Sequence, residues 1–268
     1  MKPRHAVFGQ PIAHSLSPRI HALFAGQCGI ALDYRAIEAG LDTFAAALAA
    51  FARDGGIGAN VTLPLKEAAF ALCATRSERA ERCGSVNTLI RDGDGWHGDS
   101  TDGIGFLRDL ERLGFTPDKR RVLLLGAGGA ARAVAVALLD AGALRLTIAN
   151  RTPERAIALA RALGPRAQGC APGALDGTDR FDLVVNASAA GHGGAAFMLP
   201  GVRVTPATFC HDLSYGAAAR PFLDWAQRAG AGQVHDGLGM LVEQAAESFV
   251  LWHGRRPATA PVLDALRA

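Results

Sequence analysis

Short apolar segments alternate along the chain with longer segments in which apolar residues recur every three to four positions. The first pattern is typical of buried strands and the second of amphipathic helices. Strands are predicted at residues 6–9, 32–37, 58–62, 86–91, 96–98, 121–125, 145–149, 181–187, 208–213 and 233–236. Helices are predicted at residues 17–28, 42–53, 65–72, 102–113, 128–140, 153–163, 217–229, 239–253 and 261–267. Strands that alternate with helices in this way indicate an α/β fold.

A polar stretch that contains a proline, residues 114–119, interrupts this alternation. After it the composition shifts to runs of alanine, valine and leucine. Such a stretch is typical of a linker, and 268 residues are enough for two domains of ordinary size. We therefore expect a first domain that ends at residue 113 and a second that begins at residue 114.

A glycine-rich turn follows the predicted strand at 121–125. Gly126, Gly128 and Gly129 stand in the run Gly-Ala-Gly-Gly-Ala-Ala, and an apolar helix comes next. Glycines at these places let the backbone turn tightly and approach a pyrophosphate, which the free N–H groups of the helix N-terminus bind. The motif predicts a dinucleotide site. The alternative is a turn that only packs the strand on the helix.

The end of the next predicted strand distinguishes the two nicotinamide cofactors. An NAD site has an acidic residue there, which binds the ribose 2′-hydroxyl. This chain has Asn150, Arg151 and Thr152 instead, and Arg155 follows one helical turn later. Arginine binds phosphate through charge-assisted hydrogen bonds, so the segment favours NADP. Thr152 and Pro153 are also an ordinary helix start, and both interpretations can hold together.

Two serines precede a predicted helix in the first domain. Ser15 and Ser17 are two positions apart, so in an extended segment both hydroxyls point to the same side and can bind one small anion. The alternative is a loop in which Ser17 is the N-cap of the helix and Pro18 its first residue. From this segment alone, the N-cap interpretation is favoured.

Lys66 has an unusual position. Only three of the 28 cationic residues are lysines, and this one lies at the start of a predicted helix. A cation is electrostatically unfavourable there. Because lysine can transfer a proton and arginine cannot, the placement indicates a catalytic amine. The alternative is a surface lysine that extends past Glu67 into solvent.

Polar residues near this lysine complete a candidate site. Asn60 and Thr62 alternate on one side of the strand that precedes it. Asp99 and Asp102 precede the helix at 102–113, and either carboxylate could cap that helix. Asp99 is interpreted as such a cap, and Asp102 as the partner of Lys66.

Two further amide side chains are candidates. Asn87, one of only four asparagines, stands at the start of a predicted strand, and Gln244 lies on a helix face among apolar residues. A buried amide needs hydrogen-bond partners, which protein groups or ligand hydroxyls can provide.

Charge and cysteine content exclude several classes of function. The net charge is +3 without a basic run, which argues against a nucleic-acid partner. The five cysteines are scattered and include no Cys-x-x-Cys pair, so we expect no disulfide scaffold, no metal site and a cytoplasmic location. The most apolar stretch is too short to span a membrane.

Together these motifs resemble the shikimate dehydrogenase family. The matching stretches, which follow the family's order over nearly the whole chain, are residues 9–18, 60–66, 85–88, 101–103, 126–132, 150–152, 186–191, 212–215 and 236–252. The resemblance implies reversible, NADPH-dependent reduction of 3-dehydroshikimate to shikimate in aromatic amino acid (chorismate) biosynthesis. It also implies a small N-terminal α/β substrate domain at 1–113, which residues 239–268 complete, and a Rossmann-like NADP-binding domain at 114–238.

The resemblance assigns roles to individual residues. It implies that Lys66 and Asp102 are the catalytic pair. The implied substrate-binding residues are Ser15, Ser17, Asn60, Thr62, Lys66, Asn87, Asp102, Tyr215 and Gln244, with the two serines on the carboxylate. The implied NADP-binding residues are Gly126, Gly128, Gly129, Ala130, Asn150, Arg151, Thr152 and Arg155, with Ser188, Gly237 and Met240 on the nicotinamide side. The expected partners are the small-molecule substrate and NADP, without nucleic acid or membrane, in a monomer or homodimer.

The chain departs from the family pattern at a few positions, and other functions stay open. Ser100 stands where the family usually has asparagine, Ser188 and Arg220 where it usually has threonine, and the loop at 192–199 is unusually rich in glycine. The alternatives are a quinate/shikimate dehydrogenase with dual or NAD use, a folate-type methylene dehydrogenase and a nucleotide-sensing module. The folate chemistry leaves Gln244 and the serine pair without a role, and the lysine–aspartate pair argues against a mere sensor.

Overall fold

The computed structural model describes residues 2–188 and 197–268. Contacts along the chain separate two compact units. The first consists of Met1–Gly105 and Leu241–Ala268, and the second of Phe106–Met240.

The first unit is a mixed sheet with helices. Its strands are β1 (Arg4–Gly9), β2 (Asp33–Glu38), β3 (Gly56–Val61), β4 (Thr75–Arg76), β5 (Thr88–Asp92) and β6 (Gly95–Asp99). Its helices are α1 (Ser17–Cys28), α2 (Phe44–Arg53), α3 (Lys66–Leu72), α4 (Glu78–Cys83), the start of α5 (Asp102–Arg112) and, at the C-terminal end of the chain, most of α9 (Leu238–His253) and all of α10 (Ala260–Arg267). The strands lie in the order β2-β1-β3-β5-β6-β4.

The pairing of β1 and β3 brings two of the sequence motifs together. The two strands are parallel, with Phe8 opposite Val61 at their carboxyl ends. The loops that follow these ends carry the two serines and the segment that leads to Lys66. Gly9 allows the loops to approach each other, because a Cβ there would lie 2.5 Å from Cγ2 of Thr62.

The second unit is an entirely parallel sheet with helices. Its strands are β7 (Arg121–Leu125), β8 (Arg145–Ala149), β9 (Ala167–Cys170), β10 (Leu183–Asn186), β11 (Phe209–Asp212) and β12 (Gln233–His235). Its main helices are α6 (Gly129–Asp140), α7 (Pro153–Leu163) and α8 (Arg220–Arg228). The order β12-β11-β10-β7-β8-β9 reverses direction between β7 and β10, and ligands bind beyond the carboxyl ends of strands at such a point.

Each unit has its own apolar core. In the second unit, Val122 and Leu124 of β7 pack with Ile148 and with the small side chains Ala131 and Ala135 of α6. In the first unit, phenylalanines of β1 and α2 pack with Leu89 of β5 in a separate cluster. The predicted α/β class is therefore confirmed.

The domain boundary differs from the position at which the linker composition places it. Contacts divide the chain after Gly105, inside α5, and again after Met240, inside α9. The reason is that Phe106 and Leu110 of α5 are fully buried in the core of the second unit. Composition marks where the polar linker runs, whereas contacts mark where side chains change from one core to the other.

Within the described residues, the strands and α-helices that the pattern did not predict are β4, α4 and β9, none longer than six residues. Helix α4 does have local signals: Ser77 accepts a hydrogen bond from the N–H of Ala80 at its N-cap, and Gly84 adopts a left-handed conformation at its end. So few residues cannot show a helical period, which is why the apolar pattern missed it. Within residues 2–188 and 197–268, no helix is both long and apolar enough to cross a membrane.

Candidate active site

Lys66 and Asp102 form an ion pair in the first unit. Lys66 is the first residue of α3 and Asp102 the first of α5. The ammonium Nζ lies 2.5 Å from Oδ2 of the carboxylate, and the two side chains are 15% and 3% exposed. The pair is largely withdrawn from water, and the part of the lysine that stays accessible can meet a ligand.

The amide of Asn87 supports this ion pair through a hydrogen bond to Asp102. Its Nδ2 donates to Oδ1 of Asp102 at 2.8 Å and to Oε1 of Gln244 at 3.1 Å, and its Oδ1 accepts the backbone N–H of Thr101 at 2.8 Å. Gln244 in turn donates from Nε2 to the carbonyl of Leu241 at 2.8 Å. Both oxygens of Asp102 therefore accept hydrogen bonds, one from the lysine and one from an amide.

Asn60 lies at the end of β3 beside the same network. Its Nδ2 donates to the carbonyl of Asn87 at 3.1 Å. Its Oδ1 accepts the hydroxyl of Tyr34 at 2.7 Å. Thr62 follows the strand and is partly buried, with its N–H bonded to the carbonyl of Phe8 at 2.9 Å. Thr62 and Asn60 therefore stand on the same short segment that leads to the lysine.

Ser15 and Ser17 lie next to each other in the first unit. The N–H of Ser17 donates to Oγ of Ser15 at 3.3 Å, and Ser17 is buried while Ser15 is partly exposed. The interpretation of Ser17 as an N-cap is wrong: helix α1 begins at Ser17 itself, the N-cap is Leu16, and no side chain caps the helix from that position. The hydroxyl of Ser15 instead accepts the first helical N–H.

Asp99 does not cap α5 as expected. Its carboxylate accepts hydrogen bonds from two nitrogens of Arg79, at 2.6 and 2.7 Å, and from the hydroxyl of Ser77 at 2.5 Å. Burial raises the pKa of Asp99, but these donors outweigh it and leave the pKa below its ordinary value. Asp99 therefore ties α4 to β6 and is not available to the lysine.

The predicted nucleotide residues of the second unit lie at one edge of its sheet. Asn186 is opposite Leu125 and Asp212, and Leu125 is opposite Ala149. The segments after β7, β8, β10 and β11 consequently leave the sheet at the same edge. This edge is the switch point described above, where a dinucleotide is expected.

The glycine turn after β7 fits a phosphate group. Gly126 has a φ of 112°, and a Cβ there would lie 2.8 Å from the carbonyl oxygen of Ala187, so a side chain is excluded. Gly128 is the N-cap of α6, with no side-chain cap and with open space where a Cβ would point. Because the first N–H groups of α6 lack a side-chain acceptor and the approach is open, this helix start can bind an anion.

The segment after β8 carries cationic and polar donors. Asn150 donates from Nδ2 to the carbonyl of Thr152 at 2.9 Å, and Thr152 is the N-cap of α7. Arg151 is exposed at the end of the strand. Arg155 extends from α7 to the glycine turn, with Nη2 3.5 Å from the carbonyl of Ala127. These side chains suit a second phosphate beside the first.

A chain of hydrogen bonds orients Ser188 at the same edge. Its Oγ donates to Oδ1 of Asn186 at 2.6 Å, and Nδ2 of Asn186 donates to Asp212 at 2.8 Å. Burial raises the pKa of Asp212 to about 6, although Asn186 and the N–H of Ser214 partly oppose it. Gly237 is packed so closely that a Cβ would lie 2.2 Å from the carbonyl oxygen of Leu213.

The remaining predicted residues of the second unit lie in its apolar core, on α6 and in the segment after β11. Met240 is buried in the apolar core, and Ala130 lies in the first turn of α6. Tyr215 is partly buried in the segment after β11. Gly191, the end of one matching stretch, and most of the glycine-rich loop at 192–199 lie outside the described residues.

Comparison with known proteins decides the family. Family models match residues 7–89 (shikimate dehydrogenase substrate binding domain), 111–192 (shikimate / quinate 5-dehydrogenase) and 237–267 (shikimate 5'-dehydrogenase C-terminal domain). A protein of Xanthomonas campestris pv. campestris (strain B100) named shikimate dehydrogenase (NADP(+)) is 58% identical across 99% of this chain and 95% of its own length. The chain belongs to the shikimate dehydrogenase family. A relative of the same name in Stenotrophomonas maltophilia (strain K279a) is 55% identical across 100% of this chain and 96% of its own.

Solved structures agree with this membership. Shikimate 5-dehydrogenase from Thermus thermophilus, in complex with NADP(H) and shikimate, is 37% identical with a TM-score of 0.84 over 99% of this chain and 98% of that one. An Ael1 enzyme from Pseudomonas putida is 42% identical with a TM-score of 0.87 over the same shares. The predicted family is confirmed.

Two of the departures from the family pattern take no part in the hydrogen bonds of the ion pair. Ser100 is buried beside Cys83, and Arg220 is exposed at the start of α8. Neither contributes to the hydrogen bonds of Lys66 and Asp102 described above.

Sequence reasoning missed four polar residues of the network. They are Tyr34, Thr88, Thr101 and Ser248. Thr88, Thr101 and Ser248 lie within the matching stretches at 85–88, 101–103 and 236–252, but no role was assigned to them, and Tyr34 on a predicted strand has no local signal. Their partners are distant in sequence, so only the folded chain shows their contacts.

Proposed function

We propose that this chain catalyses the reversible, NADPH-dependent reduction of 3-dehydroshikimate to shikimate in aromatic amino acid (chorismate) biosynthesis. The observation that carries the proposal is the shielded Lys66–Asp102 ion pair, held by Asn87 in a chain of this family. The relatives named above are NADP(+)-dependent shikimate dehydrogenases, which supports NADP as the cofactor.

Reduction of a ketone requires a proton donor next to the oxygen. When bound, NADPH supplies the hydride. Negative charge then develops on the carbonyl oxygen, and the Lys66 ammonium donates a proton to it. In the reverse direction, the neutral amine of Lys66 accepts the proton of the substrate hydroxyl. Asp102 holds the lysine in place through the contact at Oδ2.

The first unit supplies the groups that bind the acid. In this proposal, the hydroxyls of Ser15 and Ser17 bind the carboxylate at the start of α1. Tyr215, a residue of the second unit, is a further candidate for binding the carboxylate. The amides and hydroxyl that bind the ring oxygens are those of Asn60, Thr62, Asn87 and Gln244. Their support is that Lys66, Asp102 and these amides share one hydrogen-bonded network.

The second unit supplies the groups that bind NADP. The N-terminus of α6, with Gly126, Gly128, Gly129 and Ala130, binds the pyrophosphate. The 2′-phosphate is bound by Asn150, Arg151, Thr152 and Arg155, and the nicotinamide side by Ser188, Gly237 and Met240. This assignment is supported by the strand register, which brings these segments to one edge of the sheet, and by the N-terminus of α6, which has no side-chain cap.

A direct assay tests the proposal. Purified protein should reduce NADP in the presence of shikimate, measured by NADPH absorbance, and should do so much more slowly with NAD or with quinate in place of shikimate. Reduction that requires quinate, or equal rates with both cofactors, would favour the quinate/shikimate alternative.

Replacement of Arg151 by alanine should raise the KM for NADP far more than the KM for NAD. One charge-assisted phosphate contact contributes roughly 1.5–3 kcal/mol, so the expected increase is on the order of 10- to 100-fold. Steady-state kinetics with both cofactors measure it. Arg161→Ala, farther along α7, is the matched control, and equal changes for the two cofactors would contradict the assignment.

Replacement of Ser15 or Ser17 by alanine should weaken binding of the acid. The KM for shikimate should rise by about 5- to 50-fold with a smaller change in kcat, because a charged acceptor loses one hydroxyl donor. Shikimate amide, which lacks the carboxylate charge, should discriminate little between the variants and the wild type. Normal shikimate binding by both variants would show that the serines only shape the loop.

The cysteines support the proposed cellular location, and the site is compatible with either proposed oligomeric state. All five cysteines are free in the structure, which supports a reducing, cytoplasmic location. Because Lys66, Asp102 and their partners come from one chain, a monomer or a homodimer can each carry the activity.

A further inference from the structure

The amide of Asn60 is surrounded by partners that fix its orientation. Three acceptors face Nδ2: the carbonyl of Asn87 at 3.1 Å, Oγ1 of Thr88 at 3.2 Å and Oγ of Ser248 at 2.9 Å. The hydroxyl of Tyr34 faces Oδ1 at 2.7 Å. An amide nitrogen has only two hydrogens, so protein acceptors occupy both of them.

The proton of Tyr34 makes this orientation definite. Burial raises the pKa of its hydroxyl well above the ordinary value, with the hydroxyl of Ser17 partly opposing. Tyr34 therefore keeps its proton and donates it. A donor at one end of the amide and acceptors at the other end leave a single arrangement of Asn60, with oxygen toward Tyr34 and nitrogen toward Ser248.

Ser248 provides an acceptor that Asn60 shares with other polar groups. It is fully buried in α9, and its hydroxyl donates to the carbonyl of Gln244 at 3.1 Å. Its oxygen is thereby left to accept from others. Besides Nδ2 of Asn60, the hydroxyls of Thr88 and Thr101 lie 2.8 and 3.2 Å from it. One serine oxygen thus joins β3, β5 and the residue just before α5 to α9.

The same threonines contact the amide that holds the catalytic carboxylate. The hydroxyls of Thr88 and Thr101 lie 3.0 and 3.1 Å from Oδ1 of Asn87, and either can donate to it. Because each threonine has one proton, whichever does not donate to Asn87 can donate to Ser248. The oxygen of Ser248 therefore accepts from the Asn60 amide and from the threonine hydroxyl that does not donate to Asn87.

We propose that Ser248 is a positioning residue that orients the Asn60 amide, so that Asn60 meets the substrate through its carbonyl oxygen and selects a hydroxyl group. The inference rests on the proposed function, in which Asn60 binds a ring oxygen of the substrate. Both hydrogens of Nδ2 are used by protein acceptors, so the nitrogen cannot donate to a ligand. The carbonyl oxygen has a second lone pair. His21 interacts with the Asn60 side chain, but neither of its ring nitrogens makes a geometrically aligned hydrogen bond to a described residue, so this lone pair can accept from a ligand. A ligand group that meets Asn60 must then be a hydrogen-bond donor, which a hydroxyl is and a ketone is not.

Replacement of Ser248 by alanine should raise the KM for shikimate by about three- to tenfold, with kcat within about twofold of the wild type. The loss of one neutral hydrogen bond sets this scale, and the two other acceptors of Nδ2 keep it from being larger. The KM for NADP should not change. Ser85→Ala is the matched control, because Ser85 is also fully buried but its hydroxyl has no hydrogen-bond partner among the described residues.

A double-mutant cycle separates positioning from a general structural role. In an Asn60→Ala background, Ser248→Ala should raise the KM for shikimate by less than about twofold, because the amide it orients is gone. Additive effects would overturn the proposal, and so would a Ser248→Ala variant with an unchanged KM. Ser248→Cys is slightly larger and has a weaker acceptor. It should shift the KM in the same direction and provides the test if the alanine variant does not fold.

Two outcomes separate this inference from the proposed function. Wild-type protein without shikimate turnover would refute the function and the inference with it. If the wild type turns over shikimate but Asn60→Ala has an unchanged KM for shikimate, only the role of Asn60 is refuted, and with it the positioning by Ser248.

Discussion

Replacement of Lys66 by alanine should lower kcat by roughly 10²- to 10⁴-fold with a smaller change in KM, the range for a positioned acid–base group. The reason is the geometry of the ion pair: the ammonium is held 2.5 Å from Asp102, and the lysine side chain is only 15% exposed. The described hydrogen bonds of the pair include no second lysine that could replace it. Without it, charge on the substrate oxygen has no proton donor. Steady-state turnover of shikimate and NADP measures the effect.

Two controls refine this expectation. Lys66→Arg should not restore kcat, because arginine retains the charge but cannot transfer a proton at accessible pH. Lys2→Ala removes an exposed lysine of the same unit and should leave kcat unchanged. A near-normal kcat in the arginine variant would show that charge alone is sufficient and that the proton passes through Asp102 or water.

The first unit should lose stability steeply in mild acid, because it packs three histidines close together. His5 and His21 are fully buried; the rings of His5 and His253 lie 5.1 Å apart, and His21 stacks on Tyr34 at 4.3 Å. Burial, with a smaller contribution from the neighbouring His253, lowers the pKa of His5 to about 4. Burial and the neighbouring His5 lower the pKa of His21 to about 3.

The direction of the effect follows from these pKa values. Well above pH 6.5 the histidines are neutral in both the folded and the unfolded chain, so they do not change the free energy of unfolding. Below it, the unfolded chain binds protons first, and stability falls until the pH reaches the folded pKa values. Between about pH 7 and pH 5, the two histidines should remove on the order of 4 kcal/mol of unfolding free energy.

Urea unfolding at several pH values measures this loss. His21→Phe removes one titrating group while keeping a ring beside Tyr34, and should remove about half of the pH dependence. Asp212 acts in the opposite direction, since its raised pKa of about 6 stabilises the second unit as the pH falls. Asp212→Asn is therefore the control that isolates the histidines. Equal stability of the wild type at about pH 7 and pH 5 would contradict the prediction.

Local sequence signals determined the parts of the molecule whose chemistry is contained in one short segment. The glycine run after β7 identifies the nucleotide turn, because only glycine permits the φ of Gly126 and the contact with Ala187. The absence of a carboxylate after β8 indicates the cofactor, since a 2′-phosphate would be repelled by one. Lys66 stands out for a similar reason: a rare lysine at a helix start is visible without any structure.

Tertiary structure decided which of these segments meet and what holds them. Asn60 and Ser248 are 188 positions apart in sequence, and Asn87 and Gln244 are 157 apart, yet each pair is hydrogen-bonded. A hydroxyl on a helix has no local pattern that distinguishes a positioning residue from an ordinary polar one. Its role depends on the burial that removes competing water and on the partners that packing brings within reach, and both are properties of the folded chain alone.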